Sequence, residues 1–152
     1  MAQVLMPKAK KDCLKILVLT NVFPCKQMPN VGFYIKNQID QLREYCDMRI
    51  VMGLPRHVLS GPLKVSLGQS AVWPNVGLYV TSYWTARKIG VLLSGYSYIR
   101  ATRKIVDDIH RDFPFDMILA YWVYPEGAAA NYFGRKYKVP VLLRPRGSDV
   151  NV

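Results

Sequence analysis

The sequence predicts an α/β fold of three layers, with a mainly parallel sheet sandwiched between helices. Three observations carry this prediction. Lys15 to Thr20 (KILVLT) is a continuous aliphatic run, apolar toward both faces, as in a central parallel strand covered on both sides. Later stretches place apolar residues at helical spacing. Strand-like and helix-like segments then alternate along the chain, the order that right-handed crossovers turn into a parallel sheet.

Residues 1–14, with Lys8, Lys10 and Lys11, read as a flexible basic arm, and the domain proper as 15–152. After the first strand, Asn21 to Asn30 holds two prolines and reads as loop. Asn30 can cap a helix whose stripe is Ile35, Ile39, Leu42 and Cys46. Gly32 falls in its first turn, where a glycine lets a ligand approach backbone N–H groups and where phosphate is attracted. Met48 to Met52 is the second strand. Gly53 to Asn75 is rich in glycine and proline and reads as a long loop with at most a short turn. Val76 to Thr81 is a third strand, and Ser82 to Leu93 has no clear pattern. Ile99, Thr102, Val106, Ile109 and Phe113 define a helix over Ser94 to Phe113.

Met117 to Ala120 is the fourth strand, followed by a bulky loop of Tyr121, Trp122, Val123 and Tyr124. Pro125 suits the first position of a helix through Tyr137, and a carboxylate at Glu126 favours the same helix end. Val139 to Leu143 is the fifth strand, leading to Arg144, Pro145, Arg146, Gly147, Ser148 and Asp149. In the usual doubly wound order the first and fourth strands are neighbours. The loops 20–32 and 121–126 then line one crevice, where open α/β sheets hold ligands.

Of the 152 residues, 51% are apolar and 20% charged, enough for one domain with a real core. Cys13, Cys25 and Cys46 are an odd number at no metal-ligand spacing and read as free thiols in a reducing compartment. The longest apolar stretch, near Ile89 to Leu93, is far too short to span a bilayer, and the first residues lack a signal-peptide core. The expected location is cytoplasmic. The 21 Lys and Arg residues exceed the 10 Asp and Glu residues, for a net charge of +11. That balance favours anionic partners, beside the plainer reading of a solvated surface. Between Trp73 and Lys104 aromatics alternate with cations. This suits core packing first, then an anionic membrane surface, with nucleic acid the least favoured.

The segments KILVLTNVFP…GFYIKNQIDQL and FDMILAYWVYPEGAAANYFGRKYKVPVLLRPRGSDVNV resemble the amino-terminal domain of family 4 glycosyltransferases, which have the two-domain GT-B fold. Asp116, Ile118, Ala120, Trp122, Tyr124, Pro125, Glu126 and Gly127 match a D-x-I-x-A-x-W-x-Y-P-D/E-G stretch of that family. Pro140, Val141, Arg146, Gly147, Ser148 and Asp149 match its P-V-x-x-x-x-R/H-G-S-D segment.

The resemblance implies a Rossmann-like domain and retaining transfer of a sugar from a nucleotide-sugar to a glycan or lipid-linked acceptor of a polysaccharide or glycolipid pathway. No cofactor or metal is implied; the nucleotide-sugar is the donor substrate. By the same resemblance Gly32 lies against the donor, Tyr121 and Trp122 sit in the cleft, and Arg146, Gly147, Ser148 and Asp149 contact the acceptor. Many relatives carry histidine where this chain has Tyr121 or Arg146. A tyrosine is no base near neutral pH, its ordinary pKa being about 10.

Relatives continue past the point matching Val152 into a donor-binding domain. The expectation is therefore a domain incomplete at its carboxyl end, inactive alone, with uncovered apolar sheet that favours self-association. The expected location extends to the inner membrane face. The alternative is a non-catalytic Rossmann-like module acting through its basic surface.

Overall fold

The computed structural model describes residues 13–24, 30–59, 68–73, 75–85, 90–145 and 147. The strands are β1 (Leu14–Thr20), β2 (Cys46–Pro55), β3 (Gly68–Trp73), β4 (Val76–Tyr83), β5 (Met117–Tyr121) and β6 (Val141–Arg144). The helices are α1 (Phe33–Leu42), the single turn α2 (Arg56–Leu59), α3 (Gly90–Asp112) and α4 (Ala128–Tyr137). They form one sheet in the order β3-β4-β2-β1-β5-β6. Five of its strands are parallel, and β3 joins β4 antiparallel at one edge. Leaving β3 aside, the parallel strands run third, second, first, fourth, fifth, the doubly wound order the sequence predicts.

The period of two in the strands divides the core. Ile16 and Val18 of β1 point to one face with Met48, Ile50 and Met52 of β2, and Ile35 and Ile39 of α1 cover them. Leu17 and Leu19 point to the other face, under Val106 and Ile109 of α3 and Ala129, Ala130 and Phe133 of α4. This is the expected three-layer arrangement. Each fully buried aliphatic side chain contributes about 1.5–3 kcal/mol, so β1, apolar toward both layers, is the keel of the domain. On the outer strand β6, Leu142 and Leu143 stay largely exposed.

Several boundaries differ from expectation. Cys46 does not belong to the α1 stripe. The helix stops at Leu42, and Cys46 opens β2 opposite Leu14, its side chain in phase with Met48 and Ile50. Gly32, not Asn30, takes the helix-capping position. The stretch read as loop contains β3, a strand whose pairing with β4 is visible only in three dimensions. The α3 helix begins at Gly90, four residues before the expected start at Ser94. Tyr121 ends β5 instead of opening a loop, and α4 begins at Ala128, so Pro125 and Glu126 lie in the irregular turn Val123–Gly127 before it. Of the arm expected over residues 1–14, residues 1–12 lie outside the described residues, and β1 already starts at Leu14.

Candidate functional site at the carboxyl ends of the strands

The neighbouring ends of β1 and β5 bring together the two loops singled out in the sequence. The buried Thr20 hydroxyl donates to the Val22 carbonyl at 2.8 Å and accepts from the Val22 N–H at 3.2 Å, folding the chain tightly as it leaves β1. Phe23 then plunges fully into the core. Gly32 returns to this turn with φ 74°, and its carbonyl accepts from the Ile35 and Lys36 N–H groups. A Cβ on Gly32 would stand 3.1 Å from the Val22 carbonyl and 3.2 Å from the Phe23 Cα. The glycine is therefore required by backbone conformation and by backbone approach alike.

Across the crevice, Tyr121 is fully buried and its hydroxyl donates to Gln38 Oε1 of α1 at 3.1 Å. It braces β5 against α1. Trp122 has φ 79°, a conformation disfavoured for a side chain of this size, and its N–H donates to the Arg144 carbonyl at 3.3 Å. Strain of this kind, of order 1–3 kcal/mol, collects at functional sites when the surroundings hold it. The Tyr124–Pro125 peptide is cis. The Tyr124 hydroxyl accepts from the Gly95 N–H at 2.6 Å, and the missing side chain at Gly95 makes room for the ring.

Behind the crevice, Glu126 is completely buried. Tyr98, also fully buried, donates from its hydroxyl to the Thr20 carbonyl at 3.2 Å, tying α3 to the end of β1. Burial pushes the Tyr98 phenol well above its usual range, and the negative charge of Glu126 adds to the effect. Burial raises Tyr83 as well, again with Glu126 contributing. Both phenols therefore stay protonated throughout the physiological range.

Of the residues singled out beforehand, Gly32, Tyr121 and Trp122 lie at or just after the neighbouring ends of β1 and β5, and Tyr121, expected to line the cleft, is instead fully buried. Gly147 is left-handed at φ 86°, as a turn glycine would be. Arg146, Ser148 and Asp149 lie outside the described residues, as does Cys25. Cys13 and Cys46 are free thiols. His57 faces Thr85 at the surface, and His110 packs against the rings of Phe115 and Tyr137, so neither joins the crevice. Among the described residues no cluster could hold a metal ion, and no helix is long and apolar enough to cross a membrane.

Sequence reasoning missed Gln38, a polar group one helical turn from the apolar stripe. It also missed a second recess at the carboxyl ends of β2 and β4. This recess is a cavity of about 550 Å³ bounded by Arg56, Ser82, Trp84, Ser97 and Arg100. A smaller one of about 380 Å³ lies at the opposite end of the sheet. There Arg49 is spent on structure: it stacks 4.3 Å from the Phe113 ring centre and donates to the Met48 carbonyl at 3.0 Å.

With this geometry in view, the chain is 28% identical over 148 residues to the Bacillus subtilis (strain 168) protein described as "Putative teichuronic acid biosynthesis glycosyltransferase TuaC". The likeness covers 91% of this chain and 38% of that protein, so the chain spans well under half the length of the relative it matches. No family model matches the chain. The likeness supports a glycosyltransferase family and a glycosyltransferase-like function.

Proposed function

We propose that the chain is the amino-terminal, acceptor-side domain of a retaining GT-B glycosyltransferase that moves a sugar from a nucleotide-sugar to a glycan or lipid-linked acceptor. The observation that carries this reading is the glycosyltransferase likeness along 91% of the chain, and it is supported by a strand order in which β1 and β5, followed by the segments carrying Gly32 and Trp122, are neighbours. In this reading the α1 amino end, opened by Gly32, faces the donor phosphates. Trp122 borders the reacting sugar, and Arg146, Gly147, Ser148 and Asp149 hold the acceptor. Tyr121, buried under α1, acts through the position it gives to its neighbours.

Peripheral contact with an anionic membrane is supported by one face of α3 and its surroundings. There Leu93, Tyr96 and Trp84 stand exposed near Arg100, Arg103 and Lys104. Charge-dependent pelleting with vesicles tests that contact, and equal pelleting with neutral lipid would remove it.

The transfer reading is tested with the whole protein, labelled nucleotide-sugars, and lipid-linked or soluble glycan acceptors. Transfer with the donor's anomeric configuration kept is the expected result. An inverted product overturns the retaining assignment, and turnover unaffected by Arg146→Ala with Asp149→Ala overturns the acceptor site. A non-catalytic module acting through its basic surface would bind anions in the same preparation and transfer nothing.

A further inference from the structure

The recess at the ends of β2 and β4 is separate from the crevice. Its strands β4 and β2 stand next to the pair β1–β5 in the sheet, with β2 bonded to β1, and it has its own lining residues. It is assembled from three stretches of sequence. Pro55 and Tyr83 are register partners at the ends of β2 and β4, so the residues that follow them, Arg56 and Trp84, leave the sheet side by side. The Ser97 hydroxyl of α3 accepts from the Trp84 N–H at 2.9 Å, fixing the end of β4 to the helix. Arg100 sits three residues beyond Ser97, on the same side of α3.

The chemistry of the lining is one-sided. Among the described residues it holds two guanidinium groups, the hydroxyls of Ser82 and Ser97, and no carboxylate. Trp84 keeps 50% of its surface exposed, a large apolar ring beside two cations. The recess, at about 550 Å³, is of a size that holds a small organic ligand. A guanidinium presents paired N–H groups that fit carboxylate or phosphate oxygens two at a time. The exposed indole offers a flat face for the apolar side of a ring. The chain's charge of +11 draws anions toward it.

We propose that this recess binds an oxyanion carried on a sugar-like ring, with Arg56 and Arg100 holding the carboxylate or phosphate and Trp84 stacking on the ring. The site goes beyond the transferase reading and does not depend on it, since it is defined by its own lining residues and read out by binding alone.

The test is titration calorimetry on the chain at low salt with four probes: glucuronate, glucose 6-phosphate, inorganic phosphate and glucose. Saturable one-to-one binding of at least one of the two sugar anions is expected, with glucose undetected. Preference for glucuronate or for glucose 6-phosphate tells which oxyanion the site takes. Arg56→Gln and Arg100→Gln should each weaken binding by about tenfold or more, the loss of a charge-assisted contact. Arg100→Lys, which keeps the charge but loses the fork, should fall between. Trp84→Ala should weaken the sugar anions while leaving inorganic phosphate unchanged. Arg100 is exposed, so its variants should keep the wild-type circular dichroism and melting temperature. No binding of either sugar anion, or wild-type affinity in both arginine variants, overturns the site. Unchanged sugar-anion affinity in Trp84→Ala overturns the stacking role.

Discussion

Replacing Gly32 with alanine tests the local architecture and bears directly on how any functional loss there should be read. The substitution meets two separate obstacles. Gly32 has φ 74°, and an L-residue in left-handed backbone costs about 1–2 kcal/mol. The new Cβ would also press on backbone, 3.1 Å from the Val22 carbonyl carbon and oxygen. That backbone cannot easily retreat, because the Thr20 hydroxyl holds the Val22 carbonyl at 2.8 Å and Phe23 is anchored in the core. Crowding of this kind costs about 1–3 kcal/mol. The sum is roughly 2–5 kcal/mol, a large share of a typical domain's stability of about 5–15 kcal/mol. At about 2–4 °C per kcal/mol for a chain of this size, melting should fall by roughly 4–20 °C.

Thermal and urea unfolding of the ligand-free chain, followed by circular dichroism, measure this. A Thr20→Val background frees the Val22 carbonyl, so the two changes together should cost less than the sum of each alone, by about 0.5–1.5 kcal/mol. A Gly32→Ala change within about 0.5 kcal/mol of wild type would refute the reasoning. A strictly additive pair would refute the part assigned to the loop. If the expected loss appears, weakened donor binding in this variant cannot by itself be credited to a phosphate contact.

Three further outcomes follow from the same region. Alanine at Gly53 would overlap the buried Tyr98 ring, so Gly53→Ala should cost about 1–3 kcal/mol in urea unfolding, and less on a Tyr98→Leu background. Equal costs on both backgrounds would show that the ring is not the obstacle. The Tyr83 and Tyr98 phenols are raised in the folded state, so the folded chain binds more protons than the unfolded one at alkaline pH. Stability tied to them is complete below the unfolded tyrosine value of about 10 and is lost as pH rises beyond it; Tyr98→Phe should flatten that decline. Tyr121→Phe removes the hydroxyl bonded to Gln38 and should lower stability by about 0.5–1.5 kcal/mol, and Tyr121→Phe on a Gln38→Leu background should cost less.

The sheet was legible because its signal is local. Continuous aliphatic runs such as KILVLT can only be satisfied between two layers, and the helical stripes over Ile35 and Ile39 and over Val106 and Ile109 supply those layers. The elements that escaped are those decided by distant partners. β3 is one: the sequence from Gly68 to Trp73 has no strong alternation, and the strand exists because β4 offers it an edge. Cys46 is another. Its spacing fits the α1 stripe as well as the β2 period, and pairing with Leu14 decides between them.

The two recesses show the same limit at the level of sites. The neighbouring strand ends could be located in advance because each of the two loops directly follows a strand that the sequence marks, at Thr20 and at Tyr121. The doubly wound order then makes those strands neighbours. Even so, burial of Tyr121 behind Gln38 was hidden, since an aromatic at a strand end reads equally as lining or as support. Only a diffuse signal marks the second recess: the run of aromatics and cations from Trp73 to Lys104 includes Trp84 and Arg100, but Arg56 lies outside it and nothing local groups the three. The third parallel strand's place beside the second, and the return of α3 across both, convert three unremarkable residues into a cationic pocket with an aromatic wall. If that pocket binds as expected, the rim of this sheet carries two addresses for one extended anionic ligand or for two separate ones. Competition between glucose 6-phosphate and a ligand of the crevice distinguishes these, because a shared ligand must be displaced from both ends while separate ligands leave each other's affinity unchanged.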